Sequence, residues 1–375
     1  MRIGIPKEIK TNEKRVGLVA ESVQELVRDG HTVFVESGAG EGVGQSDALY
    51  AEADATILAD AKSVFDAADM IVKVKEPQPA ECAMLRPGQL LFTYLHLAAD
   101  AKQAEALVKS GATAIAYETI TSPKGGLPLL APMSEVAGRM SVQAGARCLE
   151  GIMGGAGVLL GGVPGIDPAK VVVLGAGVAG SHAIAMAVGL GADVVAIDRN
   201  IDRLRELDAL YRGRIKTVAS TSSAIERHVL DADLVIGTVL IPGAAAPKLI
   251  TRDLVSRMKP GSAIVDVAVD QGGCAETTRP TTHAEPTYIV DGVVHYCVAN
   301  MPGGVARSSA FALNNATLPY VRRLAEQGLD ALKRDPHFLA GLNVHQRVIT
   351  YQAVARDLGY AYVPANEVLD AKRAA

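Results

Sequence analysis

The sequence predicts an α/β protein of two parallel-sheet domains with a cleft between them, the first domain being discontinuous. Three observations carry this reading. Short apolar runs alternate with amphipathic segments through residues 1–117 and again through 170–298, the βα alternation that builds parallel sheets covered by helices. Between the two series, residues 118–133 hold Pro123, Gly125, Gly126, Pro128 and Pro132, the composition of a connector. After Val298 the pattern reads as helices alone, at about 308–327, a shorter piece and 346–357. Having no strands of their own to cover, those helices are expected to return to the first domain. The expected divisions are 1–130, 131–304 and a helical return over 305–375.

In chain order, strands are expected at Arg2–Ile5, Thr32–Val35, Met70–Val74, Leu90–Leu95 and Thr113–Tyr117. Between them lie segments such as Ser22–Arg28, which carries Val23, Leu26 and Val27 on one face. A helix from about Ser134 to Glu150 follows the connector. The second series places strands near 171–174, 194–197, 215–218, 234–237 and 263–269.

Composition excludes several classes. A formal net charge of −4 gives no reason to expect a nucleic acid or an anionic membrane as partner. The absence of tryptophan, with only 4% aromatic residues, argues against base-stacking platforms. Cys82, Cys148, Cys274 and Cys297 form no C-x-x-C pair and no zinc spacing, so they read as reduced structural thiols. The opening MRIGIPKEIK meets charge too early for a secretory signal. The charge-free stretch Gly151–Ile166 is glycine-rich, contains Pro164 and falls short of the ~20 residues that cross a bilayer. A cytoplasmic protein is expected.

Residues 171–198, VVVLGAGVAGSHAIAMAVGLGADVVAID, carry their own physical logic. A continuously apolar run, Val171 to Leu174, suits a parallel strand buried on both faces. Gly175, Gly177 and Gly180 then form G-x-G-x-x-G, with Val178 and Ala179 opening an alanine-rich helix. The first glycine permits a tight turn, the second lets backbone approach a pyrophosphate, and the third lets helix and strand pack closely. The helix N-terminus faces the phosphate charge. A second apolar run ends in Asp198, placed to accept hydrogen bonds from an adenosine ribose. Its charge would repel a 2′-phosphate, so NAD is favoured over NADP, although Arg199 and Arg203 follow closely. The domain is therefore Rossmann-like.

Four places put a polar residue at the end of an apolar strand, where open α/β sheets bind ligands. In MIVKVKEPQP, alternation puts Lys73 and Lys75 on one side of a strand that Pro77 helps to end; such a lysine holds a carboxylate or polarises a carbonyl, or is simply solvated. In LLFTYLHLA, His96 follows a buried run; it is either a satisfied structural group or a proton-exchanging one. Arg15, in NEKRVGL, has the fork geometry to grip a carboxylate, although surface arginines are far commoner. In AIVDVAVDQGGC, Asp270 closes the strand before a glycine turn, whereas Asp266 lies inside it and reads as structural.

Taken together, these motifs resemble alanine dehydrogenase over essentially the full length. The matching stretches are RIGIPKEIKTNEKRV, VKVKEP, FTYLHLA, LPLLAPMSEVAGRM, GGVPGI, VVVLGAGVAG, DLVIGTVLIPGAAAPKLI, VDVAVDQGGC, VANMPG and NNATLPY, in that order. The resemblance implies reversible oxidative deamination of L-alanine by NAD and water to pyruvate, ammonium and NADH. Arg15 and Lys75 would hold the substrate carboxylate and polarise its keto oxygen. His96 would be the acid/base group, and Asp270 would orient or activate water and ammonia. Ser134 would contact the nicotinamide end of the cofactor, or cap its helix, or both. Asp198, Arg203 and Ser220 would lie around the adenosine. Val239, Leu240, Val267, Ala268, Val269, Asp270, Val298, Ala299, Asn300 and Met301 would line the nicotinamide-ribose crevice. The resemblance also implies a substrate domain beside the NAD domain, closing on it, and a homohexamer.

Two departures matter. Some relatives carry a histidine at the position of Gln327 that joins Glu118 in holding magnesium; with Gln327 here, no metal is expected. Val305–Phe311 lacks the commoner proline, which leaves the start of the following helix open. Two rivals share the architecture: the nucleotide-binding part of a proton-translocating transhydrogenase, and a saccharopine dehydrogenase-like enzyme. Arg15, Lys75, His96 and Asp270 occurring together favour the amino-acid dehydrogenase.

Overall fold

A computed structural model describes residues 1–239 and 246–370. The chain forms two compact units, residues 134–304 and the flanking 1–133 with the chain from Val305 onward. The α/β class is as expected, and so is the discontinuity of the first unit.

The strands of the first unit before its interruption are β1 (Arg2–Ile5), β2 (Thr32–Glu36), β3 (Thr56–Leu58), β4 (Met70–Val72), β5 (Leu90–Thr93) and β6 (Thr113–Ala116). All pair in parallel, in the order β6-β5-β4-β1-β2-β3. β4, β5 and β6 are buried along their whole length, as runs such as Met-Ile-Val and Leu-Leu-Phe-Thr dictate for strands covered on both faces. The helix Ala20–Arg28 buries Ala20, Val23 and Leu26, and that apolar stripe fixes which face it presents to the sheet. The helix Ala101–Ser110 starts at Asp100, whose carboxylate accepts from the N–H groups of Lys102 and Gln103.

The second unit contains β7 (Lys170–Leu174), β8 (Asp193–Asp198), β9 (Lys216–Ala219), β10 (Leu234–Gly237), β11 (Ala263–Asp266), β12 (Thr287–Val290) and β13 (Val293–Tyr296). Their order is β12-β13-β11-β10-β7-β8-β9, with only β12 antiparallel. The chain then returns to complete the first sheet with β14 (Leu342–His345), antiparallel to β6, and β15 (Val348–Ile349).

This last hairpin corrects the wholly helical reading of the C-terminal part. Helices do run Ala306–Gln327 and Gln352–Leu358, but the expected helix beginning at 346 is instead a strand pair. The two-residue turn, Gln346 and Arg347, is left-handed at both positions (φ 46° and 69°) without the Asn-Gly or Gly that normally marks such a hairpin. The β12–β13 hairpin was equally unforeseen, although its Asp291-Gly292 turn between apolar runs is a strong sequence signal. β3 is short and half-exposed, which hides it.

Three strands stop earlier than their apolar runs suggest, for one shared reason. Past β4, the N–H groups of Val74 and Lys75 turn to the Glu8 carboxylate at 2.7 and 3.3 Å. Past β5, those of Leu95 and His96 turn to Glu118. Past β11, Ala268 N–H turns back to Asp266 at 3.0 Å. In each case a carboxylate replaces the next carbonyl of the ladder and the strand ends.

Candidate active site and nucleotide groove

In each sheet the strand order reverses at one point, where successive connections leave on opposite sides and open a crevice at the strands' carboxyl ends. In the first sheet that point lies between β1 and β4, and in the second between β7 and β10.

The segments leaving β1 and β4 carry Arg15 and Lys75. Arg15 is 2% exposed. Its Nε and Nη2 donate to the two oxygens of Glu13 at 2.7 and 2.5 Å, and Nη1 reaches Met133 Sδ at 3.0 Å. Burial disfavours both charges, but the paired hydrogen bonds outweigh it, raising Arg15 and holding the Glu13 carboxyl below its ordinary range. Lys75 differs. Among the described residues no carboxylate makes an ion pair with its ammonium, and burial, reinforced by the Arg15 charge, pulls it below the ordinary lysine range. A largely desolvated ammonium beside a buried guanidinium is a place for an anion.

Lys73 does not join this site. It is completely buried, and its Nζ donates to Glu8 at 3.2 Å and to Glu81 at 2.5 Å. Since β4 ends at Val72, the expected alternation of two lysines along one strand face does not arise. Lys73 instead neutralises the carboxylate that shapes the turn to Lys75.

His96 follows the end of β5 in a left-handed conformation, φ 49°. Its side chain is about half exposed and its ring lies parallel to that of Tyr94, 5.8 Å between centroids. Tyr94 is fixed in turn by a 2.6 Å hydrogen bond to the Leu129 carbonyl and by edge packing on Tyr117. Glu118 accepts His96 N–H at 2.6 Å and Leu95 N–H at 3.2 Å on each oxygen.

In the second unit, Gly175 takes φ +93° directly after β7. Gly180 has no room for a side chain, since a Cβ there would sit 1.9 Å from the Gly175 carbonyl. Gly177 is the opposite case, with no atom within 4 Å of its Cβ position. It borders a groove of about 550 Å³ whose walls include Val178, Ser181, Asp198 and Asn200. Asp198 accepts from Ala176 N–H at 2.6 Å and Asn200 N–H at 2.8 Å, which fixes its carboxylate at the rim. Arg203 is committed elsewhere: Nε donates to the Ala176 carbonyl at 2.9 Å, Nη2 to Ser181 Oγ at 2.6 Å, and Nη1 pairs with Glu206. Ser220 N–H donates to the Asp198 carbonyl.

Ser134 lies inside the helix Ala131–Cys148, which begins three residues earlier, so it is not the helix cap. Ala179 packs its backbone against Gly138, where a Cβ would come within 2.0 Å of the Ala179 carbonyl oxygen. Past β11, Asp266 is buried and accepts N–H groups from Ala268 and Cys274. Asp270 does not close the strand; it is exposed on the short helical turn Val269–Gln271. Val267 remains half-buried, its N–H on the Gly237 carbonyl. Val298 and Met301 are buried, Ala299 N–H donates to Thr281 O, and Asn300 is left-handed with φ 62°. Val239 is half-buried after β10, while Leu240 lies outside the described residues.

Sequence reasoning missed Glu13, Glu8 and Thr238. Thr238 Oγ1 donates to the carbonyls of Leu174 and Gly175 at 3.0 and 2.9 Å and clamps the glycine turn. Its place just past an apolar strand was a usable signal. The two glutamates gave none, because their partners are set by tertiary folding. Among the described residues, no group of three or more His, Cys, Asp or Glu side chains is placed to hold a metal ion, and no helix is long and apolar enough to cross a membrane.

Known proteins share this chain's sequence and fold. Residues 4–137 match the family model described as alanine dehydrogenase/PNT, N-terminal domain, and residues 141–352 its C-terminal domain. The chain is 60% identical to alanine dehydrogenase of Halomonas elongata over 370 residues, covering 98% of this chain and 100% of that one. A solved L-alanine dehydrogenase superposes with a TM-score of 0.93 at 54% identity, covering 96% of this chain and 99% of the other. A transhydrogenase from Sinorhizobium meliloti gives 0.79 at 28% identity, covering 94% and 100%.

Proposed function

This chain belongs to the alanine dehydrogenase/PNT family, and from that premise we propose how its own residues carry the reaction. The activity is NAD-dependent oxidative deamination of L-alanine, in which alanine, NAD⁺ and water give pyruvate, ammonium, NADH and a proton, and the reverse. The far higher identity to dehydrogenases than to transhydrogenase sets the hydride-carrier reading aside.

The observation that carries the assignment of roles is Lys75. A partly buried ammonium with no carboxylate ion pair among the described residues, close to the Arg15 guanidinium, favours an anion at this place. The carboxylate of alanine or pyruvate supplies it. Arg15 grips that carboxylate, and Lys75 polarises the adjacent keto oxygen in the reductive direction. His96 takes the proton from water as it adds to the imine, and returns one in the reverse reaction. Asp270, on its exposed turn, holds the attacking water or the ammonium.

The nucleotide groove fits NAD: a glycine open to the approach of a pyrophosphate, a helix N-terminus behind it, and an oriented carboxylate for the ribose. NAD supplies the hydride acceptor. Asp198 and Ser220 flank the adenosine, and Arg203 braces the glycine turn there. Ser134, Val239, Leu240, Val267 to Asp270 and Val298 to Met301 line the nicotinamide and its ribose. We also propose a homohexamer resident in the cytoplasm and independent of any metal, on the strength of family resemblance and of Gln327.

The test is NADH formation across glycine, L-alanine, L-serine, L-2-aminobutyrate and saccharopine. L-alanine is expected to give the highest kcat/KM. A larger value for any other member of the panel overturns the assignment of substrate.

A further inference from the structure

We propose that Glu118 is a positioning residue for His96, holding the imidazole in its working place through the backbone. The inference rests on His96 being the acid/base group, and its test separates the two.

A histidine following a strand would ordinarily continue extended, with its side chain set by the pleat. Here His96 turns left-handed (φ 49°, ψ 36°), a conformation that is uncommon for a non-glycine residue and that local hydrogen bonds can stabilise. Such bonds are visible. Glu118 stands in the short turn Tyr117–Thr119 that leaves β6, the parallel neighbour of β5, so the two strand ends lie side by side. One oxygen accepts His96 N–H at 2.6 Å, and both share Leu95 N–H at 3.2 Å. The carboxylate thus takes two successive N–H groups, which is the geometry a left-handed turn creates. Gln103 Nε2 secures the same turn from the other side by donating to the Leu95 carbonyl at 3.0 Å.

The imidazole is constrained as a result. Its face lies on the Tyr94 ring, and its Nδ1 is 3.9 Å from the same Glu118 oxygen that holds the backbone. Removing the carboxylate frees both N–H groups, lets φ relax to negative values and swings the ring off Tyr94. A proton-transferring group displaced by an ångström loses about 10²-fold in rate. Glu118 need not touch substrate for this, and with its oxygens already accepting backbone hydrogen bonds it has a role that requires no metal.

A double-mutant cycle between Glu118 and His96 tests the proposal. Glu118→Ala should lower kcat by about 10²-fold, with the NADH dissociation constant unchanged within error. Glu118→Gln retains a carbonyl oxygen for His96 N–H and should recover about tenfold of that loss, the scale of one restored hydrogen bond. In a His96→Ala background, Glu118→Ala should have little further effect on kcat. An equal cost in both backgrounds shows that Glu118 does not act through His96 and overturns the proposal. So does a Gln variant as poor as Ala, or a magnesium stimulation present in the wild type and abolished by Glu118→Ala. Near-normal kcat in His96→Ala alone removes the acid/base assignment itself, and this inference with it. If Glu118→Ala does not fold, the cycle is run with Glu118→Gln.

Discussion

Gly177 and Gly180 stand three residues apart in one motif, and the structure predicts opposite consequences for adding a methyl group to each. At Gly180 the new Cβ would lie 1.9 Å from the Gly175 carbonyl oxygen and 2.8 Å from Thr238 Oγ1. The first obstacle is backbone, so no rotamer change relieves it. The helix must withdraw by about 1.5 Å to reach ordinary van der Waals separation. Overpacking of this kind costs up to about 3 kcal/mol, and the better helix propensity of alanine returns about 1 kcal/mol. The net loss of about 2 kcal/mol corresponds to a fall of about 4–8 °C in the melting of a unit of this size. At Gly177 the Cβ meets no protein atom within 4 Å, so the melting temperature should hold within about 1 °C by the same relation. That methyl would occupy the wall against which a pyrophosphate packs, and we expect NADH to bind at least about tenfold more weakly, a loss of about 1.4 kcal/mol. Thermal melts without nucleotide, paired with titrations read by NADH fluorescence in this tryptophan-free protein, separate the two effects. A Gly180→Ala protein with the wild-type midpoint, or a Gly177→Ala protein with wild-type affinity, would refute the reasoning.

Two further expectations concern charge. Arg203 is tied to Ala176, Ser181 and Glu206, leaving Asp198 to face the ribose; NAD should therefore exceed NADP by about 10- to 100-fold in kcat/KM, the scale of one charge-assisted hydrogen bond, and equal values would dismiss Asp198 as the discriminator. Burial and the neighbouring Arg15 hold Lys75 below the ordinary lysine range, and a lysine loses its charge as pH rises through its own value. Pyruvate affinity should therefore fall on the alkaline side at a lower pH than an exposed lysine would give. Lys75→Arg should abolish that limb, since guanidinium stays protonated; if the variant keeps the limb, the titration belongs to another group.

The sequence made the centres of the strands legible and their ends illegible. Met70 to Val72 and Leu90 to Thr93 are buried on both faces, and continuous apolar runs report that directly. The ends depend on Glu8 and Glu118, which reach N–H groups 66 and 22 residues away in sequence, and no local pattern encodes such a capture. The same holds for the candidate site. Lys75, His96 and Asp270 were visible as polar residues following apolar runs, the places a switch point favours, and Arg15 as an arginine just before an apolar segment. Their supporting carboxylates were not visible in that role: Glu13 carries no local signal, and Glu118 stands out only through a metal site of some relatives, its hold on the His96 turn being set by the fold. Gln346-Arg347 hid a hairpin for a different reason: the backbone adopts a left-handed pair without the residues that make it easy.

The pairing of β14 with β6 joins Val344 to Ala114, partners separated by the whole second unit. A chain emerging from the ribosome must therefore synthesise an entire compact unit before it can finish the first one. Until then β6 presents a bare row of backbone donors and acceptors, the kind of edge at which chains join one another. Closing so long an intervening stretch is also entropically costly unless that stretch is already compact. The order of synthesis thus favours a sequence of events in which the inserted unit folds first and the last strands arrive as a seal. Under conditions that slow this seal, such as high concentration or premature termination near residue 340, the hazard is not a lost active site but a half-finished sheet seeking a partner.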